Sequence, residues 1–457
     1  METQPDLSVN FAGVHFRNPV GVGAIGEHWG HAHTFEQYTE LNSEIFLKHV
    51  RAGAGYIIMA GAHMTPETEK LVRERSRIIE MPLRRRNNSP TVSCRMLKIE
   101  GKEPYGLEGF YFSTSPFYLD AGFGRYTEKR NVMMMETLRK KKPDDVPLVI
   151  NLGGISNVAE SWIDGAQFFE ELGADMIEIN VGCPLPTGLD RAVDSYFSGE
   201  YLPICQGMLI GDKPELVREI VSRVSNAVNI PVGIKLSPET GFPRIVEIAQ
   251  AARDAGAKFV QLFNAAVGIA PPDIYNSGKP LWPFMDGNPF TMASGSFLRV
   301  ACYKDVAAVA RFVPNLQIAA AGGLVEPKHM IEAMMLGATL VQPCTGIIEQ
   351  GNGLLRQTLR FMKNFMVEQG YNSLEQIIGM GQRYIKYNQD IDMMPNQTII
   401  QIDREKCVKC HRCVDNICQA LYIDENKELQ VHPDICSGCG GCTLACRYGA
   451  LTLVLRE

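Results

Sequence analysis

Hydrophobic residues along the chain fall into two patterns that alternate. Short apolar runs rich in Val, Ile and Ala end abruptly at Gly, Pro, Asn or Lys, and longer stretches between them repeat apolar positions at helical spacing. From Val146 the alternation is regular. It predicts strands at Val146–Leu152, Met176–Val181, Pro231–Leu236, Lys258–Phe263, Leu316–Ala321 and Thr339–Pro343. Helices fall between them, one ending at Leu172 and the others near Pro214–Val228, Pro243–Ala255, Phe297–Phe312 and Pro327–Leu336. Two earlier strands, Pro19–Gly23 and Tyr56–Ala60, flank a helix near Glu36–Ala52, and Leu7–Phe16 alternates like a short hairpin around Ala12-Gly13. Eight strands with intervening helices predict a (β/α)8 TIM barrel, with an open doubly wound sheet as the alternative.

The regular pattern is interrupted and then ends. The segment at about 65–143 is irregular, basic and aromatic, reads as an insertion, and includes the loop Leu83-Arg84-Arg85-Arg86. Closing helices are expected at about 352–385, and Lys386–Gln397 is a polar connector. The domains are therefore set at 1–395 and 396–457, the second a small α+β domain whose short apolar stretch Ala420-Leu421-Tyr422-Ile423 is echoed by Ala450-Leu451-Thr452-Leu453.

In a parallel barrel, chemistry collects where strands end. Met176–Pro184 runs from an apolar strand into Asn180, Gly182, Cys183 and Pro184, so Cys183 is a candidate acid and Asn180 a candidate anchor. A buried structural cysteine before a turn-forming proline is the plainer reading. Lys235 and Asn264 end the fifth and sixth strands, where a cation and an amide face any bound anion or polar ring. Gly322 and Gly323 follow the seventh strand and Thr345 and Gly346 the eighth, the places where barrels bind phosphate through backbone N–H groups. Gly21, Gly23 and Gly26 fit a dinucleotide fingerprint, but no convincing helix follows, so Gly23 and Ala24 are read as a loop that approaches a flat cofactor closely.

The cysteines carry the most specific signal. Of thirteen, eight lie between Cys407 and Cys446, spaced Cys407-x2-Cys410-x2-Cys413-x4-Cys418 and Cys436-x2-Cys439-x2-Cys442-x3-Cys446. Paired runs of this kind hold two [4Fe-4S] clusters, the fourth cysteine of each run ligating the other cluster. The expected sets are Cys407, Cys410, Cys413 with Cys446, and Cys436, Cys439, Cys442 with Cys418. The first run carries one extra residue before its last cysteine, and Gln419 and Arg447 stand where proline is usual. Structural zinc is the alternative. A phosphate-gripping barrel joined to single-electron carriers calls for a cofactor that handles both one and two electrons, and FMN does so.

Composition excludes rather than selects. A net charge of -6 and the lack of an aromatic-basic module argue against nucleic acid, and neither a membrane-length apolar run nor a signal peptide is seen, so a cytoplasmic protein is expected.

Asp6–Gly26, the run from Val146 through Asn180-Val181-Gly182-Cys183-Pro184, Gly233-Ile234-Lys235-Leu236, Asn264, Gly322-Gly323, Thr345-Gly346 and the cysteine tail together resemble the dihydropyrimidine dehydrogenase family. The likeness is greatest to the FMN and iron-sulfur subunit of its bacterial NAD-dependent form, with dihydroorotate dehydrogenases more distant. The resemblance implies a dihydroorotate dehydrogenase-like barrel followed by a two-cluster ferredoxin-like domain. It implies Cys183 as the active-site acid, with Cys205 in reserve, on a lid at 184–210. It also implies Asn180, Asn264 and Asn157 as substrate contacts, and Gly23, Ala24, Asn151, Lys235, Ser294, Gly295, Gly322, Gly323, Thr345 and Gly346 around FMN. The implied reaction reduces an activated C=C of a small, pyrimidine-like ring with hydride from flavin N5 and a proton from Cys183. Electrons would arrive through the clusters from an NAD(P)H/FAD reductase subunit or a ferredoxin in a hetero- or homo-oligomer. Gly182, Ala265, Ala60 and Val158 depart from the family pattern at positions that concern the substrate, which leaves a non-pyrimidine unsaturated substrate as the alternative.

Overall fold

The protein is described here from a computed structural model over residues 5–24, 34–75, 94–99, 109–114, 123–153, 158–182, 210–269, 271–280, 290–391, 397–415 and 418–456. The chain divides into two compact units, Met1–Arg383 and Tyr384–Glu457.

The first unit is built on a parallel sheet of β3 (Ile57–Gly61), β6 (Leu148–Leu152), β7 (Met176–Asn180), β8 (Val232–Lys235), β9 (Phe259–Leu262), β12 (Gln317–Ala321) and β13 (Leu340–Gln342), ordered β13-β12-β9-β8-β7-β6-β3. The segment around Val20 joins the two ends. Val20 bridges Val341 in parallel, Gly21 N–H donates to the Val341 carbonyl at 3.0 Å, and Gly55 N–H donates to the Val20 carbonyl at 2.8 Å. The sheet is thereby curled upon itself, which gives a TIM-barrel-like α/β fold rather than an open doubly wound sheet. Nearly every residue of these strands is buried, as expected of parallel strands covered on both faces.

Local chemistry explains the outer helices. In α5 (Pro214–Ala227), Pro214 occupies the first turn, where its missing N–H costs nothing, and Val217, Ile220, Val221 and Val224 form one buried stripe. Thr34 caps α1 (Phe35–Arg51) by accepting from Gln37 N–H at 3.1 Å, while Lys48, His49 and Arg51 oppose the dipole at its far end. Helices α4 (Ala159–Glu171), α6 (Arg244–Asp254), α7 (Arg299–Phe312), α8 (Pro327–Leu336) and α10 (Gly353–Gln369) complete the outer layer, with the short α9 (Thr345–Gln350) after β13. The hairpin of β1 (Val9–Phe11) and β2 (Val14–Phe16) lies at the N-terminal ends of the strands. Phe11 meets Phe259 with ring centroids 5.1 Å apart, and Phe16 meets Tyr56 at 5.2 Å.

The described residues of the stretch at 65–143 form regular elements that the irregular sequence does not announce. The stretch contains α2 (Pro66–Arg75), β4 (Cys94–Ile99), β5 (Gly109–Thr114) and the long α3 (Phe123–Lys141), and α3 packs beside α1 in the outer layer. The two strands join β10 (Ala266–Ile269) and β11 (Phe290–Gly295) in an antiparallel sheet ordered β10-β11-β5-β4. Its strands come from the excursions after the second and sixth barrel strands, so it stands on the side of the barrel where strands end. Pairing between positions as distant as Gly109 and Gly295 leaves no trace in a local pattern.

In the second unit β14 (Thr398–Ile402) pairs antiparallel with β17 (Leu451–Leu455), and β15 (Leu421–Ile423) with β16 (Leu429–Val431); one short helix, α11 (Gly441–Ala445), lies between β16 and β17. The halves repeat a backbone device. Asp403 N–H donates to the Ala450 carbonyl and Cys407 N–H to that of Asp403, and likewise His432 N–H donates to Ala420 and Cys436 N–H to His432.

Candidate functional site

Strands β6, β7 and β8 bring their last polar residues side by side. Parallel register sets Asn151 opposite Glu178 and Asn180 opposite Lys235. Because side chains alternate along a strand, Glu178 and Asn180 leave β7 on the same face. The result is a continuous hydrogen-bonded row. Asn264 Nδ2 donates to Asn180 Oδ1 at 3.3 Å, Asn180 Nδ2 donates to Asn151 Oδ1 at 2.9 Å, and Asn151 Nδ2 donates to Glu178 Oε1. At the open end Ala265 N–H donates to Asn264 Oδ1 at 2.9 Å, and Gly182 N–H donates to Asn180 Oδ1 at 3.3 Å.

Charge in this row is buried. Glu178 is 1% exposed and Lys235 5%. Burial raises the Glu178 carboxyl above the ordinary glutamate range, while the Lys235 charge and the Asn151 hydrogen bond act against that rise. Burial also pushes the Cys344 thiol up to about 11, again opposed by Lys235. Lys235 therefore acts on groups from both β7 and the loop after β13. Beside it in register, Gln261 is fully buried, and its amide oxygen has no hydrogen-bond partner among the described residues. Tyr56, also buried, has its hydroxyl proton held more tightly, chiefly by desolvation.

The two glycine loops are close-packed. Gly323 has φ 72°, and a side chain there would meet the Arg299 backbone at 2.5 Å. Only glycine lets this loop lie so close against the start of α7. Ser294, at the end of β11, places Oγ 3.2 Å from Thr345 Oγ1, which joins the antiparallel sheet to the loop after β13. Gly23 packs against Cys344, Ala24 is half-buried, and Gly295, Gly322 and Gly346 lie at the same strand ends. The structure thus brings Asn151, Asn180, Lys235, Asn264, Ser294 and both glycine loops to one end of the barrel. Cys183, Asn157, Cys205, Gly26, the loop at 83–86 and most of the expected lid, 184–209, lie outside the described residues.

Two of the departures from the family pattern have physical explanations. A Cβ at Gly182 would stand 2.3 Å from the Leu236 carbonyl carbon and oxygen, so the backbone after β7 runs too close to that after β8 for a serine. Val158 is 1% exposed and starts α4 as a core residue, not a site residue. Glu178 was overlooked in the sequence, although a lone carboxylate two positions before Asn180 in an otherwise apolar strand was a legible signal.

Sequence comparison finds relatives over much of this chain. A dihydrouridine synthase family profile matches residues 125–264, and a dihydroorotate dehydrogenase profile matches 203–366. The catalytic subunit of dihydroorotate dehydrogenase B (NAD(+)) from Methanothermobacter thermautotrophicus is 30% identical over 237 residues, covering 52% of this chain and 69% of the relative. This chain belongs to the dihydroorotate dehydrogenase-like family. Another relative of this dihydroorotate dehydrogenase-like protein is the NAD-dependent dihydropyrimidine dehydrogenase subunit PreA of Escherichia coli (strain K12). It is 26% identical over 291 residues, 62% of this chain, and the match spans 64% of the relative's length. The Pyrococcus abyssi dihydroorotate dehydrogenase B (NAD(+)) catalytic subunit is 26% identical over 376 residues, 82% of this chain and 98% of the relative.

The second unit of this family member gathers its cysteines in two groups. Cys407, Cys410, Cys413 and Cys446 line one cavity with Leu429 and Leu451. Burial raises the Cys413 thiol, and Cys446, Cys407 and Cys410 are the sulfurs close enough to act on it. Burial likewise pushes Cys442 up to about 11, and there the acting sulfurs are Cys418, Cys436 and Cys439. The fourth cysteine of each run thus lies with the first three of the other. Among the described residues no three His, Cys, Asp or Glu side chains gather closely enough for a single metal ion. Nor is any helix among them long and apolar enough to cross a membrane.

Proposed function

We propose that this protein is an FMN- and iron-sulfur-dependent oxidoreductase acting on the C=C or CH–CH bond of a small, pyrimidine-like ring. The observation that carries the reading is the amide row Asn151-Asn180-Asn264, anchored on Glu178 beside buried Lys235, at the mouth of a dihydroorotate dehydrogenase-like barrel.

The residues present fit FMN. The buried cation Lys235, the unpartnered amide oxygen of Gln261 and the close-packed glycine loops are donors and acceptors suited to a flat polar ring carrying one phosphate. Lys235, Asn151, Gly23 and Ala24 would hold the ring, and Gly322, Gly323, Thr345, Gly346, Ser294 and Gly295 the phosphate end. Bound there, FMN supplies chemistry that accepts one electron or two. Asn180 and Asn264 orient the substrate ring. Cys183, which follows directly on Gly182 beside that row, holds the proton exchanged with a ring carbon.

The cysteine groups fit two [4Fe-4S] clusters, because each brings four thiols together, the first group around a cavity, and four thiolates are the ligand set such a cluster takes. Cys407, Cys410, Cys413 and Cys446 would hold one, and Cys436, Cys439, Cys442 and Cys418 the other. A ferredoxin-like domain of this kind supplies single electrons, drawn from an NAD(P)H-oxidising, FAD-containing reductase subunit or a ferredoxin in a larger assembly. The relatives, subunits of NAD-dependent enzymes, support such a partner.

Anaerobic purification with cofactor analysis, followed by spectral titration of the reduced protein, tests the reading. FMN, about eight irons and reoxidation by uracil or thymine are expected. Reoxidation only by another unsaturated ring would change the substrate, and absence of flavin would overturn the function.

A further inference from the structure

The amide row has a direction, and one residue sets it. Asn side chains carry both a donor and an acceptor end, so a row of three could run either way. Glu178 accepts the proton of Asn151 Nδ2, which turns Asn151 Oδ1 toward Asn180. Asn180 must then donate, and its own oxygen turns toward Asn264. Asn180 Oδ1 receives two protons, from Asn264 Nδ2 and from Gly182 N–H, which uses both of its lone pairs. Among the described residues, the one capacity left on Asn180 is its second N–H. Asn264 has one oxygen site taken by Ala265 N–H and likewise keeps a second N–H.

We propose that Glu178 is a positioning residue that fixes the donor sense of this row, so that a ring bound at Asn180 must offer it a hydrogen-bond acceptor. The proposal rests on the reading that Asn180 and Asn264 bind the substrate, and it adds the polarity that the substrate must have. Three features on the protein side support it. Glu178 is almost completely buried, so water does not compete for its oxygens. Burial raises the Glu178 carboxyl above the ordinary glutamate range, and the Lys235 charge and the hydrogen bond from Asn151 Nδ2 act against that rise by favouring the acceptor form. The Gly182 N–H meets Asn180 Oδ1 in the same sense but at 3.3 Å, longer than the 2.9 Å contact from Asn180 to Asn151, so the carboxylate end of the row is the stronger determinant of its direction.

The substitution Glu178→Gln keeps the shape and removes the compulsion, because an amide at 178 can either accept from Asn151 or donate to it. Uracil and cytosine are the probes. They share a ring frame, but cytosine replaces a carbonyl acceptor and its neighbouring N–H by an amino donor and a ring-nitrogen acceptor. Binding to the full-length, cofactor-loaded protein is measured by perturbation of its flavin spectrum. Wild type is expected to prefer uracil by tenfold or more, as loss of one buried hydrogen bond implies, and E178Q to reduce that preference about tenfold. An unchanged preference in E178Q overturns the proposal. Neutron diffraction from deuterated wild type and E178Q gives the second readout, which needs no ligand. Deuterons on Asn180 that face Asn151 in wild type and become mixed in E178Q support the proposal, and one unaltered sense in both overturns it. If neither pyrimidine binds wild type, the pyrimidine reading fails, and the neutron result alone decides whether Glu178 sets the polarity.

Discussion

The two units hold their chemistry in opposite ways. In the barrel unit, the polar row sits on a large core that exists without it: β6 to β9 are packed with Val149, Ile150, Ile177, Ile179, Ile234 and Val260, and the amides occupy only the strand ends. In the cysteine unit the chemistry is the core. Its buried cluster consists of Ile400, Ala420, Leu421, Leu429 and Leu451 with Cys413, Cys436 and Cys442, and every other cysteine except the exposed Cys410 and Cys439 packs against it. A small domain with so little apolar surface needs a staple, whereas a barrel does not. On the proposed reading, loss of FMN is a functional event in the barrel unit, and loss of the clusters a folding event in the cysteine unit.

The largest effect tests that contrast directly. Removing iron with a chelator, or substituting Cys413→Ala, is expected to leave residues 397–456 protease-sensitive while the barrel unit keeps its cooperative unfolding transition. Limited proteolysis with iron analysis reads this, and a cysteine unit that stays resistant without iron would erase the distinction between the units. Next in size, Cys183→Ala should lower turnover by about 10²–10⁴-fold while flavin reduction and thermal stability stay unchanged, as expected of the proposed proton donor. Stopped-flow reduction and steady-state assays separate the two, and unchanged turnover would remove Cys183 from the mechanism.

A smaller effect comes from Gly182→Ser, which puts a side chain against the Leu236 carbonyl. The expected cost is about 1–3 kcal/mol, read as a lower denaturant midpoint of the barrel unit, with substrate binding weakened because the Gly182–Asn180 hydrogen bond shifts. A variant as stable as wild type would show that the backbone yields there. The smallest effect is the pH dependence of Glu178. Its folded pKa lies above its unfolded value, so between the two the folded state binds more protons and stability falls as pH rises through that window. E178Q lacks this slope, so its denaturation midpoint relative to wild type should rise from pH 4 to neutral pH. Parallel curves would mean that Lys235 and Asn151 fully offset the burial.

The separation between what was legible and what was not follows the range of the interactions. The strand at Met176–Asn180, the helix Pro327–Leu336 and the stripe of Pro214–Ala227 were visible because each is declared by neighbours one to four residues apart. The cysteine spacing was legible for the same reason: three ligands three residues apart must come near one another whatever the fold. Sheet β10-β11-β5-β4 was not legible, since it pairs segments almost two hundred positions apart, and irregular local composition hid them.

By itself the sequence determined that strands and helices alternate, which residues end each strand, and which thiols can share a site, because these follow from periodicity and spacing. Tertiary structure alone decided that Val20 closes the sheet against Val341, that Gly182 has no room for a side chain, and that a carboxylate in the middle of β7 directs three amides. Those outcomes depend on register between strands and on the closeness of two backbones. Neither quantity is carried by any one stretch of chain, so only the closed barrel could set them.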